Sequence, residues 1–597
     1  IAYGGPSNEV CLSNAFSAAD AAGFKLFFSF DYAGNGPWPQ SNVISLINGY
    51  KMRASYFYYN GKPFVSTFEG PERANDWVTI KGQTNCFFIP DWSSKGAKVA
   101  LTQYPGIPDG LFNWAAWPYG PDEMYTVIDS SYTYFLKGAP YMMPVSPWFY
   151  TNLPGFKKNW LWRGDDLWHD RWQEVMVVQP DFVQIISWND YGESHYIGPR
   201  FDQQVKNNFG IGNPPYDYSE GMPHDGWRTF LPFLIDMYKS NTSTVTNDGL
   251  QVWYRNAPSS ACSTGGTTGN TLSQLQCEHP PSEMMQDRVF YSALLTSEKA
   301  ISVTIGGVTQ AGTYGSKPYG GVGIYHGSVG FNGRTGAVSV SLSGVGSVSD
   351  GPPVSTTCKN NIQNYNPWVG SVTGGGVGNV RTPYRTEELF CVRGKGVGDY
   401  AKLCAFGCSY GYCPSGVCTC TDLGGPLSYP VASKDSSYGG LCSFGCNYGF
   451  CPEGICQKTE VALSAPSEAG PFPRYGGGCV SGTGQGGFEG LCKFSCGYGF
   501  CPAESCTCTA TGMPPNGPVP TSDKVCVSVS DSRFLGLCQF ACNRAYCPTD
   551  VCLKILDTQV CPFPGFDHIA SQLPILSGSN EYHNAADSSC HGIEGER

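Results

Sequence analysis

Charged residues are scarce in this sequence: Asp, Glu, Lys and Arg together make up 14% of its 597 residues. The formal net charge is −11, so there is no basic excess that could follow a phosphate backbone. Long apolar runs are also lacking, and without 18 consecutive hydrophobic residues no helix could span a membrane. The composition argues against nucleic acid and membrane partners and favours an uncharged polymer such as a polysaccharide.

Cysteine is nearly absent from the first half of the chain and dense at its end. Four of the 28 cysteines precede residue 300, whereas 23 lie from Cys391 onward. Such a dense tail is typical of an oxidising compartment, and we therefore predict a secreted protein. The glycosylation sequon at Asn241 agrees with that route. The sequence starts at Ile1 with neither initiator Met nor signal peptide, which we interpret as processing or truncation.

Residues 1–243 alternate short apolar runs with amphipathic stretches, a pattern typical of parallel strands joined by crossover helices. The predicted strands are 24–31, 63–69, 85–91, 109–114, 140–147 and 181–188. The predicted helices are 8–22, 41–51, 121–137 and 165–178. With residues 1–5 as the stub of a further strand, the pattern predicts seven of the eight strands of a (β/α)8 TIM-type barrel.

Several predicted strands finish on a carboxylate or an aromatic residue. These residues are Asp31, Glu69, Asp91, Trp114 and Trp188. Barrel enzymes keep their chemistry at the carboxyl ends of the strands, so we interpret this set as the lining of a site. Any single Asp there could instead cap the following helix.

Two further regions follow the predicted barrel. Residues 244–370 alternate Val, Ser and Thr between Gly-rich turns, which predicts a β-sandwich. Packing against the barrel and binding of glucan are both open roles for it. We interpret residues 371–388 as a linker.

The tail repeats the spacing C-x3-C-x4-C-x4-C four times, in residues 389–424, 436–458, 475–510 and 524–561, before a final segment 562–597. Two flanking cysteines occur in the first and third copies, and both are lacking in the second, which predicts the pairs Cys391–Cys420 and Cys479–Cys508. Four inner cysteines allow three pairings, so their connectivity stays open. No His lies inside the repeats, which favours disulfides over zinc. The repeats either bind a wall polymer or act as a spacer.

The strongest local signal is the segment 186–195 (ISWNDYGESH), where an apolar strand opens into a loop. Glycoside hydrolysis needs two carboxyl groups about the scissile bond, one protonated and one ionised, and Asp190 and Glu193 could supply both. A DxxE pattern is otherwise common as a capping pair. Its flanking residues suit sugar contacts: Trp188, Asn189, Tyr191 and His195.

Four segments together resemble the fungal α-1,3-glucanases (mutanases) of glycoside hydrolase family 71. They are 23–31 (GFKLFFSFD), 64–70 (FVSTFEG), 88–92 (FIPDW) and 187–194 (SWNDYGES). The resemblance covers residues 1 to about 240 and, more loosely, the region to about 390. It implies an inverting enzyme that cuts α-1,3-glucan of fungal walls or dental mutan. It also implies that Asp190 and Glu193 are catalytic and that Asp31 is a third acidic residue of the site.

The roles within the site are predicted as follows. Glu193 is taken as the general acid and Asp190 as the base, with the separation of roughly 6.5–9.5 Å that an inverting pair needs for water. Trp92, Trp114, Trp117 and Trp148 are candidate sugar platforms, with barrel packing as the alternative for each. No cofactor or metal is predicted, and we expect a monomer.

The sequence departs from the family at its start, because family members have a strand, a helix and a complete second strand before the segment that opens here. We therefore expect a barrel without its first βα unit, in a shortened chain whose own activity is uncertain. The alternative function is a catalytically impaired wall-binding protein, and a hydrolase of another α-glucan is a third hypothesis.

Overall fold

The computed structural model describes residues 1–5, 8–121, 124, 126–269, 278–382, 390–396, 404, 408, 418–424, 431–433, 456–458, 478–484, 489–497, 506–512, 524–527 and 552–555. These residues form a unit with a parallel sheet, a unit with two antiparallel sheets, and a series of small hairpins. Within them, no helix is long and apolar enough to cross a membrane.

The first unit alternates strands and helices, as predicted. Its strands are β1 (Phe28–Asp31), β2 (Tyr58–Tyr59), β3 (Lys62–Phe68), β4 (Phe87–Asp91), β5 (Leu111–Phe112), β6 (Tyr141–Val145), β7 (Tyr150–Leu153), β8 (Lys158–Leu161) and β9 (Phe182–Ile185). Its helices are α1 (Asn8–Ala22), α2 (Gln40–Tyr50), α3 (Asp76–Thr84), α4 (Gly96–Gln103), α5 (Val127–Leu136), α6 (Leu167–Val178), α7 (Asp202–Gly212) and α8 (Leu231–Ser240). Short 3-10 turns lie at Pro71–Arg73, Pro154–Phe156 and Asp225–Arg228.

The parallel sheet has the order β1-β3-β4-β5-β6-β9, with β2 antiparallel to β3. Each predicted strand of this unit is present, and the order follows the chain because each crossover returns to the neighbouring strand. Residues 1–5 run beside β1: the main-chain N–H of Asp31 donates to the carbonyl of Ile1 at 2.9 Å, and Ala2 bridges Asp31 in parallel. Among the described residues the sheet is open, with β9 at its other end.

Alternate side chains of the strands point to opposite faces and join two cores. In β4, Phe87 and Ile89 join a cluster within the curve of the sheet. Phe88 points the other way, where its ring stacks on Trp77 with ring centroids 3.5 Å apart. The helices therefore cover one face and the enclosed aromatic cluster fills the other.

The second unit contains two four-stranded antiparallel sheets, β15-β12-β10-β18 and β14-β13-β16-β17. Its strands are β10 (Thr244–Tyr254), β11 (Thr268–Gly269), β12 (Arg288–Leu295), β13 (Ile301–Ile305), β14 (Val308–Ala311), β15 (Gly323–Gly330), β16 (Val338–Leu342), β17 (Gly346–Val348) and β18 (Trp368–Arg381). Helix α9 (Pro281–Met284) and 3-10 turns at Tyr319–Gly321 and Lys359–Asn361 connect them. One hydrophobic cluster takes residues from both sheets, including Val252, Val303 and Val340.

The predicted linker is wrong for residues 371–381, because they belong to β18. This strand pairs with β10 from Tyr254↔Trp368 to Thr244↔Arg381. Main-chain hydrogen bonds need no side chain, so the Gly-rich composition that suggested a linker does not prevent pairing. Residues 383–388 of the predicted linker lie outside the described residues.

The two units share a core. Trp253 of β10 lies in the same cluster as Trp227 and Phe230 of the first unit, and its indole N–H donates to the carbonyl of Asp165 at 2.8 Å. Strands β7 and β8 form a small sheet with β11 of the second unit. The second unit thus packs against the first, which is one of the two roles left open for this region.

The described residues of the cysteine-rich tail form four pairs of antiparallel strands. They pair β19 (Phe390–Gly396) with β20 (Cys418–Gly424), β21 (Val431–Ser433) with β22 (Cys456–Lys458), β23 (Gly478–Thr483) with β24 (Thr507–Gly512), and β25 (Lys524–Val527) with β26 (Cys552–Ile555). Helix α10 (Glu489–Gly497) lies in the third copy.

The structure contains the predicted disulfide Cys479–Cys508. In the first and third copies the first inner cysteine pairs with the fourth, as Cys404–Cys418 and Cys492–Cys506. Cys420 is disulfide-bonded, but the side chain of Cys391 lies outside the described residues, so that pairing stays a prediction.

Candidate active site

The loop after β9 is held in shape by its own hydrogen bonds. The N–H of Asp190 donates to Oγ of Ser187 at 3.0 Å, and the N–H of Glu193 donates to Oδ1 of Asp190 at 2.9 Å. The N–H of Ser187 donates to the carbonyl of His195 at 2.9 Å, which closes the loop at its base. The two carboxylates are therefore fixed beside each other at the carboxyl end of the last parallel strand.

Glu193 lies between two positively polarised groups. Its Oε1 is 2.7 Å from Nζ of Lys158, and its Oε2 is 3.0 Å from Nε2 of His195. Oγ of Ser187 lies 2.8 Å from Nδ1 of His195. If the Ser187 hydroxyl donates to Nδ1, the Nε2–H of His195 donates to Glu193, so one hydrogen-bond chain orients the imidazole.

The two carboxyl groups have opposite pKa shifts. Partial burial raises the pKa of Asp190, whose side chain is 45% exposed, and the nearby charge of Glu193 raises it further. Burial also opposes ionisation of Glu193, but the hydrogen bond and charge of His195, together with Lys158, lower the pKa of Glu193 to about 2. One group is thus biased toward the acid form and the other toward the carboxylate, as acid–base catalysis requires.

Asp31 joins this charge cluster from β1. Its Oδ1 accepts hydrogen bonds from the N–H groups of Ala33 and Gly34, both at 2.8 Å. Burial lowers the pKa of Lys158, but the charges of Glu193, Asp190 and Asp31 outweigh it and raise that pKa overall. The charges of all three predicted acidic residues thus act on Lys158, and Glu193 is in direct contact with it at 2.7 Å.

The cluster of Asp190, Glu193 and His195 also has the donor types of a metal site, with one ligand atom from each lying within 4.8 Å of the others. Lys158 already supplies a positive charge at 2.7 Å from Glu193. The charge of Glu193 is thus balanced by this chain's own residues.

Glu69 and Asp91 lie at the ends of β3 and β4, and they differ in exposure. Glu69 is half-buried and accepts from the N–H and hydroxyl of Ser94, at 3.0 and 2.5 Å, while burial raises its pKa. Asp91 is fully buried, and burial raises its pKa to about 8. Its Oδ1 accepts from the N–H and hydroxyl of Ser93. Asp91 therefore lies beneath the surface and does not line it, contrary to its predicted contact with substrate.

Three of the predicted aromatic contacts are fully buried, namely Trp92, Trp148 and Tyr191. The indole N–H of Trp148 donates to the carbonyl of Tyr365 at 2.9 Å, and the hydroxyl of Tyr191 donates to that of Pro199 at 2.8 Å. Trp92 and Trp148 thus pack the interior, which was the alternative to a role as sugar platforms. His195 is buried as well, so the predicted sugar contacts of Tyr191 and His195 are wrong.

The remaining aromatic residues are accessible. Trp188 is 53% exposed, with the guanidinium of Arg228 at 5.3 Å from its ring centroid. Trp114 and Trp117 are half-buried, and the ring of Trp117 lies 5.7 Å from that of His195. Accessible aromatic surface thus lies next to His195, which contacts Glu193.

Two further predicted residues lie away from the charge cluster. Asn189 is exposed and its amide donates to Gln204 at 3.2 Å. Asn241 is half-buried at the end of α8, and Ser243 of its sequon is buried and donates to Asp236 at 3.3 Å. Glycosylation at Asn241 stays a prediction.

Lys158 was not among the predicted site residues. It lies on β8, 35 residues before Glu193, in a hairpin with no motif of its own. No local signal marks a lysine whose partner is brought to it only by folding.

A parallel βα sheet with paired carboxylates and exposed aromatic residues at its carboxyl edge is the arrangement of a carbohydrate-hydrolysing barrel enzyme. Residues 1–381 match the family model of glycosyl hydrolase family 71. The chain belongs to this family, which confirms the resemblance of its four segments.

Similar proteins with known names include a mutanase of Penicillium rubens, 33% identical over 380 residues, which cover 61% of this chain and 78% of that protein. The glucan endo-1,3-alpha-glucosidase agn1 of Schizosaccharomyces pombe is 32% identical over 319 residues, covering 50% of this chain and 70% of that protein. Among solved structures, the GH99 endo-alpha-mannosidase of Bacteroides thetaiotaomicron matches 40% of this chain and 72% of its own, with 15% identity and a TM-score of 0.29.

Proposed function

We propose that this chain is a glucan endo-1,3-alpha-glucosidase that hydrolyses α-1,3-glucosidic bonds of fungal cell-wall α-glucan. Membership of glycosyl hydrolase family 71 and the similarity to two proteins named for this activity support the substrate. The observation that supports the chemistry is the loop that holds Asp190 beside Glu193, with Lys158 at 2.7 Å and His195 at 3.0 Å from Glu193. These contacts agree with the opposite pKa shifts of the two carboxyl groups.

In the proposed mechanism, Asp190 protonates the leaving glycosidic oxygen and Glu193 takes a proton from the attacking water. The water oxygen bonds to the anomeric carbon as the bond to the leaving oxygen breaks, so an α-linked substrate gives a β product. This assignment reverses the order predicted from the sequence. Lys158 and His195 keep Glu193 ionised, which suits a base, while partial burial and the nearby charge of Glu193 favour the protonated form of Asp190.

The observed site is narrower than an inverting reaction needs. The nearest ligand atoms of Asp190 and Glu193 lie within 4.8 Å, whereas an inverting pair is roughly 6.5–9.5 Å apart. Glu193 is fixed by two partners, but the side chain of Asp190 is 45% exposed. We therefore propose that the side chain of Asp190 turns outward when glucan occupies the site.

The surroundings of the pair suit an uncharged sugar chain. Trp188, Trp114 and Trp117 offer aromatic surface to pyranose rings. We include in the proposal a TIM-type barrel built on the parallel sheet, a β-sandwich formed by the two antiparallel sheets, and a secreted monomer. The disulfides Cys262–Cys358 and Cys404–Cys418 support secretion, because such bonds persist in oxidising compartments.

The first test compares Asp190→Asn with Glu193→Gln on insoluble α-1,3-glucan and on an α-1,3-linked oligosaccharyl fluoride. Fluoride leaves without a proton, so Asp190→Asn should lose activity on glucan by about 10²-fold or more and retain much of it on the fluoride. Glu193→Gln should lose both and regain activity with azide. Glu220→Gln, at an exposed ion pair with Lys359, is the matched control and should behave as wild type.

Proton NMR of the first product decides the stereochemistry, and β is expected. An α product would contradict inversion. The opposite pattern, with Glu193→Gln active on the fluoride, would restore the order predicted from the sequence. Equal glucan hydrolysis by both variants and wild type would refute the proposed site.

A further inference from the structure

Lys158 is carried by a strand that the second unit helps to hold. The side-chain amide of Asn159, next to Lys158 on β8, donates to the carbonyl of Gly265 at 3.0 Å. Its carbonyl oxygen accepts from the hydroxyl of Thr267 at 2.7 Å. Further along, β8 pairs with β11, with Trp160 opposite Thr268. The position of β8 therefore depends on the segment 261–269.

That segment is in turn fixed by a disulfide. Cys262 is bonded to Cys358, 96 residues later in the chain. Beside this bond, the N–H of Ser263 donates to the carbonyl of Asn361 at 2.9 Å, and the N–H of Gln363 donates back to that of Ser263 at 2.8 Å. A continuous path of covalent and hydrogen bonds thus joins Cys358 of the second unit to Lys158.

The titratable groups around Glu193 and Lys158 come from three elements. Lys158 of β8 approaches one oxygen, while His195 and Asp190 of the same loop approach the other side. Asp31 at the end of β1 acts on Lys158 through its charge. Of these four residues, Lys158 lies on the strand that pairs with β11 of the second unit.

We infer that Lys158 is a positioning residue that keeps Glu193 ionised, and that the Cys262–Cys358 disulfide sets its position through the segment 261–269 and Asn159. The inference rests on the proposed function, since it assigns how the base of that reaction is held. On this inference the second unit helps to position a residue of the active site, in addition to packing against the first unit.

The charge of Lys158 is tested with Lys158→Met and Lys158→Arg. The matched control is Lys157→Met, because Lys157 precedes Lys158 in the chain and its side chain is exposed. The ionised base is lost as the pH falls through the pKa of Glu193. Removing the lysine raises that pKa, so the acidic limb of the kcat/KM profile on soluble α-1,3-glucan oligosaccharides should move up by about 1 pH unit or more. Lys158→Arg should restore most of the wild-type profile, and Lys157→Met should leave it unchanged.

The path to the disulfide is tested with the double variant Cys262→Ser/Cys358→Ser against Cys479→Ser/Cys508→Ser, which removes a disulfide of the third repeat. The first should move the acidic limb in the same direction as Lys158→Met, and the second should not. Because the first variant could lose stability, Thr267→Val, which removes only the hydroxyl that donates to Asn159, is measured beside it together with the Tm of each protein. Thr267→Val should produce a smaller shift of the same sign.

The outcomes separate the inference from the function on which it rests. If wild type hydrolyses α-1,3-glucan but Lys158→Met and Lys157→Met share one acidic limb, the role of Lys158 is refuted while the function stands. If Lys158→Met moves the acidic limb of the kcat/KM profile but neither Thr267→Val nor the Cys262/Cys358 variant moves it, the link to the disulfide is refuted. If wild type and Glu193→Gln are equally inactive, the proposed function itself fails, and the inference fails with it.

Discussion

At the scale of single residues, surroundings decide what each carboxyl group at the sheet edge can do. Asp31 is held at its Oδ1 by two main-chain N–H groups, whereas Asp91 is fully buried and its Oδ2 has no hydrogen-bond partner among the described residues. The same residue type at the carboxyl ends of β1 and β4 therefore has different surroundings, at the charge cluster in one case and in the interior in the other.

Asp91→Asn tests the interior acid. The folded pKa of about 8 lies above the value near 4 expected in the unfolded chain, so rising pH between these values favours unfolding. The amide has no such proton to lose and keeps an oxygen for Ser93. At pH 7 we expect a higher Tm for Asp91→Asn than for wild type, and at pH 4 no difference in Tm. A lower Tm at both pH values would contradict an Asp91 that is protonated at pH 7.

At the scale of elements, close approach decides where side chains are tolerated. Gly110 precedes β5 at a point where an added Cβ would lie 2.3 Å from the carbonyl oxygen of Pro140. Gly49 lies within α2, where an added Cβ meets nothing within 4 Å. The neighbouring strand β6 thus restricts one glycine, whereas the other is only a weak helix former.

Gly110→Ala and Gly49→Ala should change the free energy of unfolding in opposite directions. The first must displace main chain, which costs about 1–3 kcal/mol. The second reduces the freedom of the unfolded chain and should add about 0.5 kcal/mol. Urea denaturation of both variants checks this pair of signs, and equal effects would contradict the packing of β5 against β6.

At the scale of the whole molecule, the first cysteine-rich repeat contacts the first unit, which carries the candidate active site. Nζ of Lys395 on β19 lies 2.9 Å from Oδ2 of the buried Asp170 on α6. The hydroxyl of Thr419 on β20 donates to the carbonyl of Met124 at 2.8 Å, and Arg393 donates to the carbonyl of Gly315. This repeat therefore contacts both units and is more than a distant appendage.

Lys395→Met should destabilise the first unit, because it removes the ammonium group that pairs with the buried Asp170. We expect a loss of about 1–3 kcal/mol, seen as a lower Tm of the transition that also abolishes glucan hydrolysis. Lys317→Met is the matched control, since Lys317 pairs with Glu298 at the surface and such pairs contribute little. Equal Tm values for the two variants would show that the contact of the repeat does not stabilise the unit.

Much of the fold could be predicted because its signals are local. Alternating apolar runs placed the strands and helices of the first unit, and α1 spans the predicted residues 8–22. The disulfide Cys479–Cys508 followed from comparing copies of one repeat. The loop 187–194 identified the family, since its residues are adjacent in the chain and need no folding to be seen together.

The sequence by itself thus determined the alternation of elements, the family and the two neighbouring carboxylates Asp190 and Glu193. Only the tertiary structure decided which Trp residues are exposed, that residues 371–381 form a strand, and that Lys158 lies at 2.7 Å from Glu193. The reason is physical: burial and charge pairing depend on segments that are distant in the chain, and those contacts set the pKa shifts that separate an acid from a base.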